Sequence, residues 1–125
     1  MKQEVFEFVE TLAKSQQEKL AAAGTFIAIE ELTAEIGDEV ARQLASLELS
    51  RRSEVLTRQP THACPDCGRE CPVAPDPEPI ILQGMRGEIE YAEPRCHCPA
   101  CRRDFFPSGR SLGTTAAREH HAKNS

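Results

Sequence analysis

Apolar side chains recur at intervals of three and four along residues 2–23. Val5, Phe8, Val9, Leu12, Ala13 and Leu20 share one helical face, and polar Ser15–Gln17 interrupts it. The spacing predicts an amphipathic helix that stops at Gly24, which can take the left-handed C′ conformation without steric cost. Thr25 is placed to cap the next segment, although Phe26-Ile27-Ala28-Ile29 by itself fits strand as well as helix. A second stripe, Leu32, Ile36, Val40, Leu44 and Leu47, predicts helix over roughly 28–56. Gly37-Asp38 is expected to split it, with Asp38 capping the second piece. The two segments predict an N-terminal helical hairpin over 1–57. Such a pair buries little, so its apolar faces are expected to meet a partner chain, a further domain or the second half of the protein.

The pattern changes after residue 57. Arg58-Gln59-Pro60-Thr61 reads as a linker, because Pro60 disfavours helix at the residue before it. Pro72, Pro75, Pro77 and Pro79 predict a loop over 72–79. Ile80-Ile81-Leu82 and Glu88-Ile89-Glu90-Tyr91 predict short strands joined by a turn at Gly84–Gly87, a β-hairpin over 80–91 that Pro94 should end. From Thr114 to Ser125 the chain is polar and aperiodic, and disorder is expected. The expected fold class is α+β: the helical hairpin, a small β ribbon over 58–113 and a disordered tail over 114–125.

Composition shifts the weight onto cysteine. With 125 residues, 39% of them apolar, no Trp and one Tyr, the chain has little from which to build a large core. All six cysteines fall between Cys64 and Cys101. Met1–Glu4 leads straight into an acidic amphipathic stretch with no apolar leader, and no apolar run approaches the ~20 residues that span a bilayer. The expected setting is the cytoplasm, without membrane partner. Thiols stay reduced there, and paired cysteines read as metal ligands or redox groups.

Two knuckles stand out, Cys64-Pro65-Asp66-Cys67-Gly68 and Cys98-Pro99-Ala100-Cys101-Arg102. A CxxC turn brings two sulfurs to one point, and two such turns supply the four thiolates of a tetrahedral zinc site. Gly68 suits a position that favours positive φ; Arg102 fits the equivalent position less well, and its charge offsets that of the thiolates. The expectation is one structural Zn²⁺ on Cys64, Cys67, Cys98 and Cys101. Cys71, Cys96 and His97 are alternative ligands, since each lies within reach of a knuckle in sequence. A thioredoxin-like redox pair would need a βαβ context, and none is visible. His62 is expected to be an exposed loop residue, and His120-His121 to have no role.

Four cysteines fill zinc's coordination shell and leave no position for substrate or water. No phosphate-binding glycine loop and no Ser/His/Asp set is apparent, so no enzyme and no small-molecule substrate is expected. Net charge is -5 overall, with 11 acidic and 6 basic residues in 1–57 and 9 of each in 58–125. Any nucleic-acid contact would come from a local patch in the second half: Arg69, Arg86, Arg95, Arg102, Arg103 and Arg110. The competing expectation is that these arginines pair with nearby Asp66, Glu70, Glu88, Glu90, Glu93 and Asp104.

The knuckle Cys64-Pro65-Asp66-Cys67-Gly68-Arg69, then Gly87–Tyr91, then Cys98-Pro99-Ala100-Cys101 with Asp104-Phe105-Phe106-Pro107 and Leu112-Gly113, resembles the N-terminal region of a bacterial insertion-sequence transposase family, the Kra-type elements. The resemblance covers residues 26–113. It implies a helical segment, a zinc ribbon and a DNA-binding accessory role at element ends. The family's catalytic acidic residues belong to an RNase H-like domain beyond this region, and Thr114–His121 does not continue the pattern, so none is carried over. A truncated transposase, an isolated domain or a stand-alone relative is expected. The alternative function is a protein-interaction module whose acidic amphipathic helices self-associate as a homo-oligomer or dock on a partner.

Overall fold

The computed structural model describes residues 1–117; residues 118–125, His120 and His121 among them, and the side chain of Arg110 lie outside the described residues. Helices followed by short antiparallel strands give the expected α+β class. The chain divides into two compact units, Met1–Glu39 and Val40–Ser125.

The first unit is helical. Helix α1 spans Lys2–Ser15 and α2 spans Gln17–Ala22. They part at Gln16, whose φ of -106° falls in the polar interruption of the stripe. Neither helix buries a residue. Gly24 does not provide the expected left-handed stop: α2 ends at Ala22, and Ala23 turns the chain out in an extended conformation. Thr25 caps the next helix as expected, its Oγ1 accepting the N–H of Ala28 at 3.1 Å. That settles Phe26–Ile29 as helix.

Helix α3 runs unbroken over Phe26–Arg58, through Gly37-Asp38 and into the second unit, so the expected split is absent. One interior glycine costs only about 1 kcal/mol relative to alanine. Breaking a helix between two strongly helix-forming stretches would expose backbone groups at two new ends.

Among its described residues the second unit holds six strands in three two-stranded antiparallel sheets. Strands β1 (Thr61–Ala63) and β2 (Glu70–Pro72) flank the first knuckle, and β5 (Cys96–Cys98) and β6 (Arg103–Phe105) flank the second. Between them lies the hairpin of β3 (Glu78–Gly84) and β4 (Gly87–Glu93), with Gly84 opposite Gly87 and Glu78 opposite Glu93. Gly87 sits at φ +123°, where only glycine is comfortable. The proline-rich loop is shorter than 72–79. Pro72 belongs to β2, Val73 bridges to Cys96, and Pro79 belongs to β3. Each strand of a two-stranded sheet is an edge, where a missing N–H is tolerated.

One face of the hairpin turns inward, with Leu82 and Tyr91 buried and Ile80 and Ile89 half-buried. Glu93 takes the next inward position in the same alternation and is wholly buried. Its Oε1 accepts the hydroxyls of Ser108 at 2.8 Å and Thr114 at 3.0 Å. Those hydroxyls come from two short helices, α4 (Pro107–Ser111) and α5 (Thr114–Ala117). Thr114–Ala117, expected in the disordered tail, is therefore helical and anchored by a buried contact. The first half of α3 lies in the other unit; from Arg42 onward its side chains reach the hairpin. Ser46 Oγ donates to Glu90 O at 3.0 Å, and Arg42 Nη1 donates to the carbonyl of Arg86.

Candidate metal centre

The two knuckles are built alike. In the first, the Gly68 N–H donates to Cys64 O at 2.9 Å, and the Cys64 N–H donates to Arg69 O at 2.9 Å. In the second, the Arg102 N–H donates to Cys98 O at 2.7 Å. Both turns close on a left-handed residue, Gly68 at φ +76° and Arg102 at φ +56°. Arg102 is the one non-glycine residue with positive φ among the described residues. For a side chain this conformation costs on the order of 1–2 kcal/mol, which the knuckle geometry imposes.

The turns bring the sulfurs of Cys64, Cys67, Cys98 and Cys101 within 4.8 Å of one another. Cys64 Sγ lies 3.8 Å from Cys101 Sγ, and Cys67 Sγ 3.5 Å from Cys98 Sγ. Tetrahedral ligands about 2.3 Å from one zinc stand ~3.8 Å apart. The four thiols thus fit one metal ion of that size. Cys64 and Cys98 are buried, Cys101 is half-buried and Cys67 is exposed at the rim.

Proximity also sets Cys98 and Cys101 apart electrostatically. The Cys98 thiol is drawn down to about 6, first by the Cys101 N–H, which points at its sulfur from 3.4 Å. Cys101 is pushed up to about 12 by the sulfurs of Cys67 and Cys64 beside it. One thiolate forms readily and the next is opposed, as expected where several anions meet with no cation between them. A bound cation removes that opposition.

The alternative ligands fall elsewhere. Cys71 and Cys96 are 0% exposed and form a small core with Cys64 and Cys98, against which Val73, Cys101 and Phe105 pack. Burial pushes both thiols up to about 11, so they remain neutral and behave as small apolar side chains. His97 lies on the opposite, exposed side of β5, with Nδ1 2.8 Å from Asp104 Oδ1. His62 is not a free loop residue. It pairs opposite Cys71 in β1, and its Nε2 lies 2.8 Å from Leu56 O, tying the ribbon to the last turns of α3. Sequence reasoning missed this link because no local pattern joins a strand residue to a helix carbonyl six positions earlier.

Arg103 pairs with Asp66, linking the two knuckles, and Arg95 lies 3.7 Å from Glu78. Glu70 instead accepts the Thr61 hydroxyl at 2.7 Å. Arg69, Arg86 and Arg102 have exposed side chains, and that of Arg110 lies outside the described residues. Beside the first knuckle an open cleft of about 550 Å³ is lined by Ala63, Pro65, Phe105, Phe106 and Pro107 among others. No helix among the described residues is long and apolar enough to cross a membrane.

A scan against protein-family models, a search of curated proteins and a search of solved structures each found no match.

Proposed function

We propose that the second half of the chain is a non-catalytic zinc ribbon that contacts nucleic acid, the role implied by its resemblance to the N-terminal region of Kra-type transposases. The convergence of four cysteine sulfurs carries this reading. Soft thiolates in a tetrahedral set favour Zn²⁺, and a shell filled by protein ligands serves structure rather than catalysis.

The nucleic-acid part rests on placement. Arg69 follows the first knuckle and Arg102 closes the second, and both side chains are exposed. Phe105 and Phe106 line the neighbouring cleft, where an aromatic surface can stack a base. Phosphate contacts of this kind give salt-dependent affinity and no sequence reading of their own.

Metal analysis of the purified chain, followed by a mobility-shift titration against salt, tests both parts. The expected result is one zinc per chain and binding that weakens as salt rises. Arg69→Ala should flatten the slope of log K against log salt by roughly 1. A chain with one zinc and no binding at ~0.05 M salt would sink the nucleic-acid role and leave the ribbon standing. A metal-free chain with freely reactive thiols would sink the ribbon itself.

A further inference from the structure

The four clustered thiols are not equally open to solvent. Cys64 and Cys98 are buried and Cys101 is half-buried, while Cys67 is exposed. The knuckle itself leaves that side open. Gly68 follows at φ +76° with empty space where a side chain would stand, and the Asp66 carboxylate is drawn aside to Arg103. The Cys67 sulfur also lies 3.5 Å from the sulfur of Cys98 in the other knuckle. An open sulfur therefore touches a sealed one. Cys71 and Cys96 are 0% exposed, and Cys71 Sγ donates to Arg69 O at 3.3 Å. A small reagent arriving from solvent meets Cys67 first.

We propose that Cys67 is a modification site for hydroperoxides and that Cys98 is the thiol that resolves the product. The inference rests on the reading of the four cysteines as a metal centre, in which a bound cation keeps each ligand a thiolate. The Cys67 thiolate attacks one oxygen of hydrogen peroxide. The O–O bond breaks, hydroxide leaves, and Cys67 becomes a sulfenic acid. The Cys98 thiolate then attacks the Cys67 sulfur. The S–O bond breaks, a second hydroxide leaves, and an S–S bond joins the knuckles. Two thiolates have together lost two electrons, and the peroxide has gained them. A metal deprived of two of its four ligands is released. The new bond links the same two knuckles that the metal linked, so the ribbon keeps its closure after the metal has gone.

The test treats the full zinc-loaded chain with hydrogen peroxide, after its metal content has been measured. A chromogenic zinc indicator should report loss of the metal, and thiol titration should show two thiols consumed for each zinc released. Peptide mapping should find a Cys67–Cys98 disulfide. Dimedone added with the peroxide should label Cys67 and no other cysteine, because it traps the sulfenic acid before Cys98 reaches it. Dithiothreitol followed by fresh zinc should restore the loaded chain. Cys71→Ala and Cys96→Ala, taken singly, should leave the disulfide and the thiol count unchanged. Dimedone on another cysteine, a disulfide within one knuckle, or a disulfide to Cys71 or Cys96 would overturn the proposal. So would a loaded chain that keeps its metal and all its thiols under excess peroxide, a result that leaves the metal centre itself intact. A chain without metal before peroxide is added would overturn the ribbon reading and this proposal with it.

Discussion

Ser53 of α3 donates its hydroxyl to the main-chain oxygen of Ala92 at 2.8 Å, across the boundary between helix and hairpin. Ser53 is the one buried residue of α3. With Arg42 and Ser46 it forms a row of donors that meets the carbonyls of Arg86, Glu90 and Ala92. Side chains of the helix thereby occupy acceptors along the hairpin that would otherwise remain available to another strand.

Ser53→Ala removes the donor and leaves the Ala92 carbonyl facing an apolar group. The expected loss is about 1 kcal/mol, read as a melting temperature lower by a few degrees. Ser46→Ala, at a half-buried site, should cost less because water replaces the hydroxyl. Equal effects at the two sites would argue that burial does not set the strength of these links.

Single replacement of Cys64, Cys67, Cys98 or Cys101 by Ser should release the metal and strongly destabilise the ribbon, because binding energy at such a site is also folding energy. Cys71→Ala and Cys96→Ala should keep one metal per chain and melt at lower temperature. Serine at position 96 should be worse than alanine, since that site is sealed and a hydroxyl there lacks a partner, whereas at position 71 the Arg69 carbonyl, 3.3 Å from the sulfur, is placed to accept it. Metal content by mass spectrometry and thermal melts separate the two groups. From sequence alone, changes at Cys71 and Cys96 read as mild; their burial makes them structural.

Acid should strip the metal. Metal binding needs all four thiolates, so affinity falls as protons compete for them. In the metal-free chain two thiols act in opposite senses. Cys98 lies below its ordinary value of 9, so it adds stability above pH 9 that is lost as pH falls through about 6. Cys101 lies above that value, so it adds stability below pH 9 that is lost as pH rises toward about 12. A chromogenic zinc indicator should report release between about pH 7 and about pH 5. Metal-free melts over the same range should change less than those of the loaded chain.

The left-handed knuckle residues should respond oppositely. Gly68→Ala forces a side chain into φ +76° and should cost about 1 kcal/mol. Arg102→Gly relieves that strain while adding freedom to the unfolded chain, so its melting temperature should be unchanged or higher. If Arg102 also contacts phosphate, the same variant should lose affinity in a mobility shift without losing stability.

Glu93→Ala should loosen the segment from Pro107 to Ala117. Ser108 and Thr114 would lose a shared acceptor that is fully enclosed, at a cost of about 2 kcal/mol. Limited proteolysis should then cut after Phe106 sooner than in the parent protein, while the metal content stays at one per chain.

The knuckles are legible in the sequence because CxxC states its geometry in four residues, and the β3–β4 hairpin because apolar and polar positions alternate around paired glycines. Strands β1, β2, β5 and β6 are not. Each is three residues long, too short for periodicity, and its register comes from the knuckle it flanks. In sequence Glu93 reads as a partner for a nearby arginine, since nothing local marks the hydroxyls fifteen and twenty-one residues later that enclose it. Gly37 misleads for the opposite reason: a strong local signal is outweighed by helix on both sides. The exposure of the α1 stripe agrees with the small size of the helical pair.

The β3–β4 hairpin also alters how the two halves of the metal site find each other. Thirty residues separate Cys67 from Cys98 along the chain. Once Glu78 stands opposite Glu93, the hairpin bridges its own residues and leaves roughly half that length to be closed. Halving a flexible loop saves about 0.6 kcal/mol of closure entropy. The hairpin forms from near neighbours in sequence, on a timescale of roughly microseconds. It can therefore gather the second pair of sulfurs toward the first before any ion arrives, and metal capture becomes the last step of assembly instead of the first.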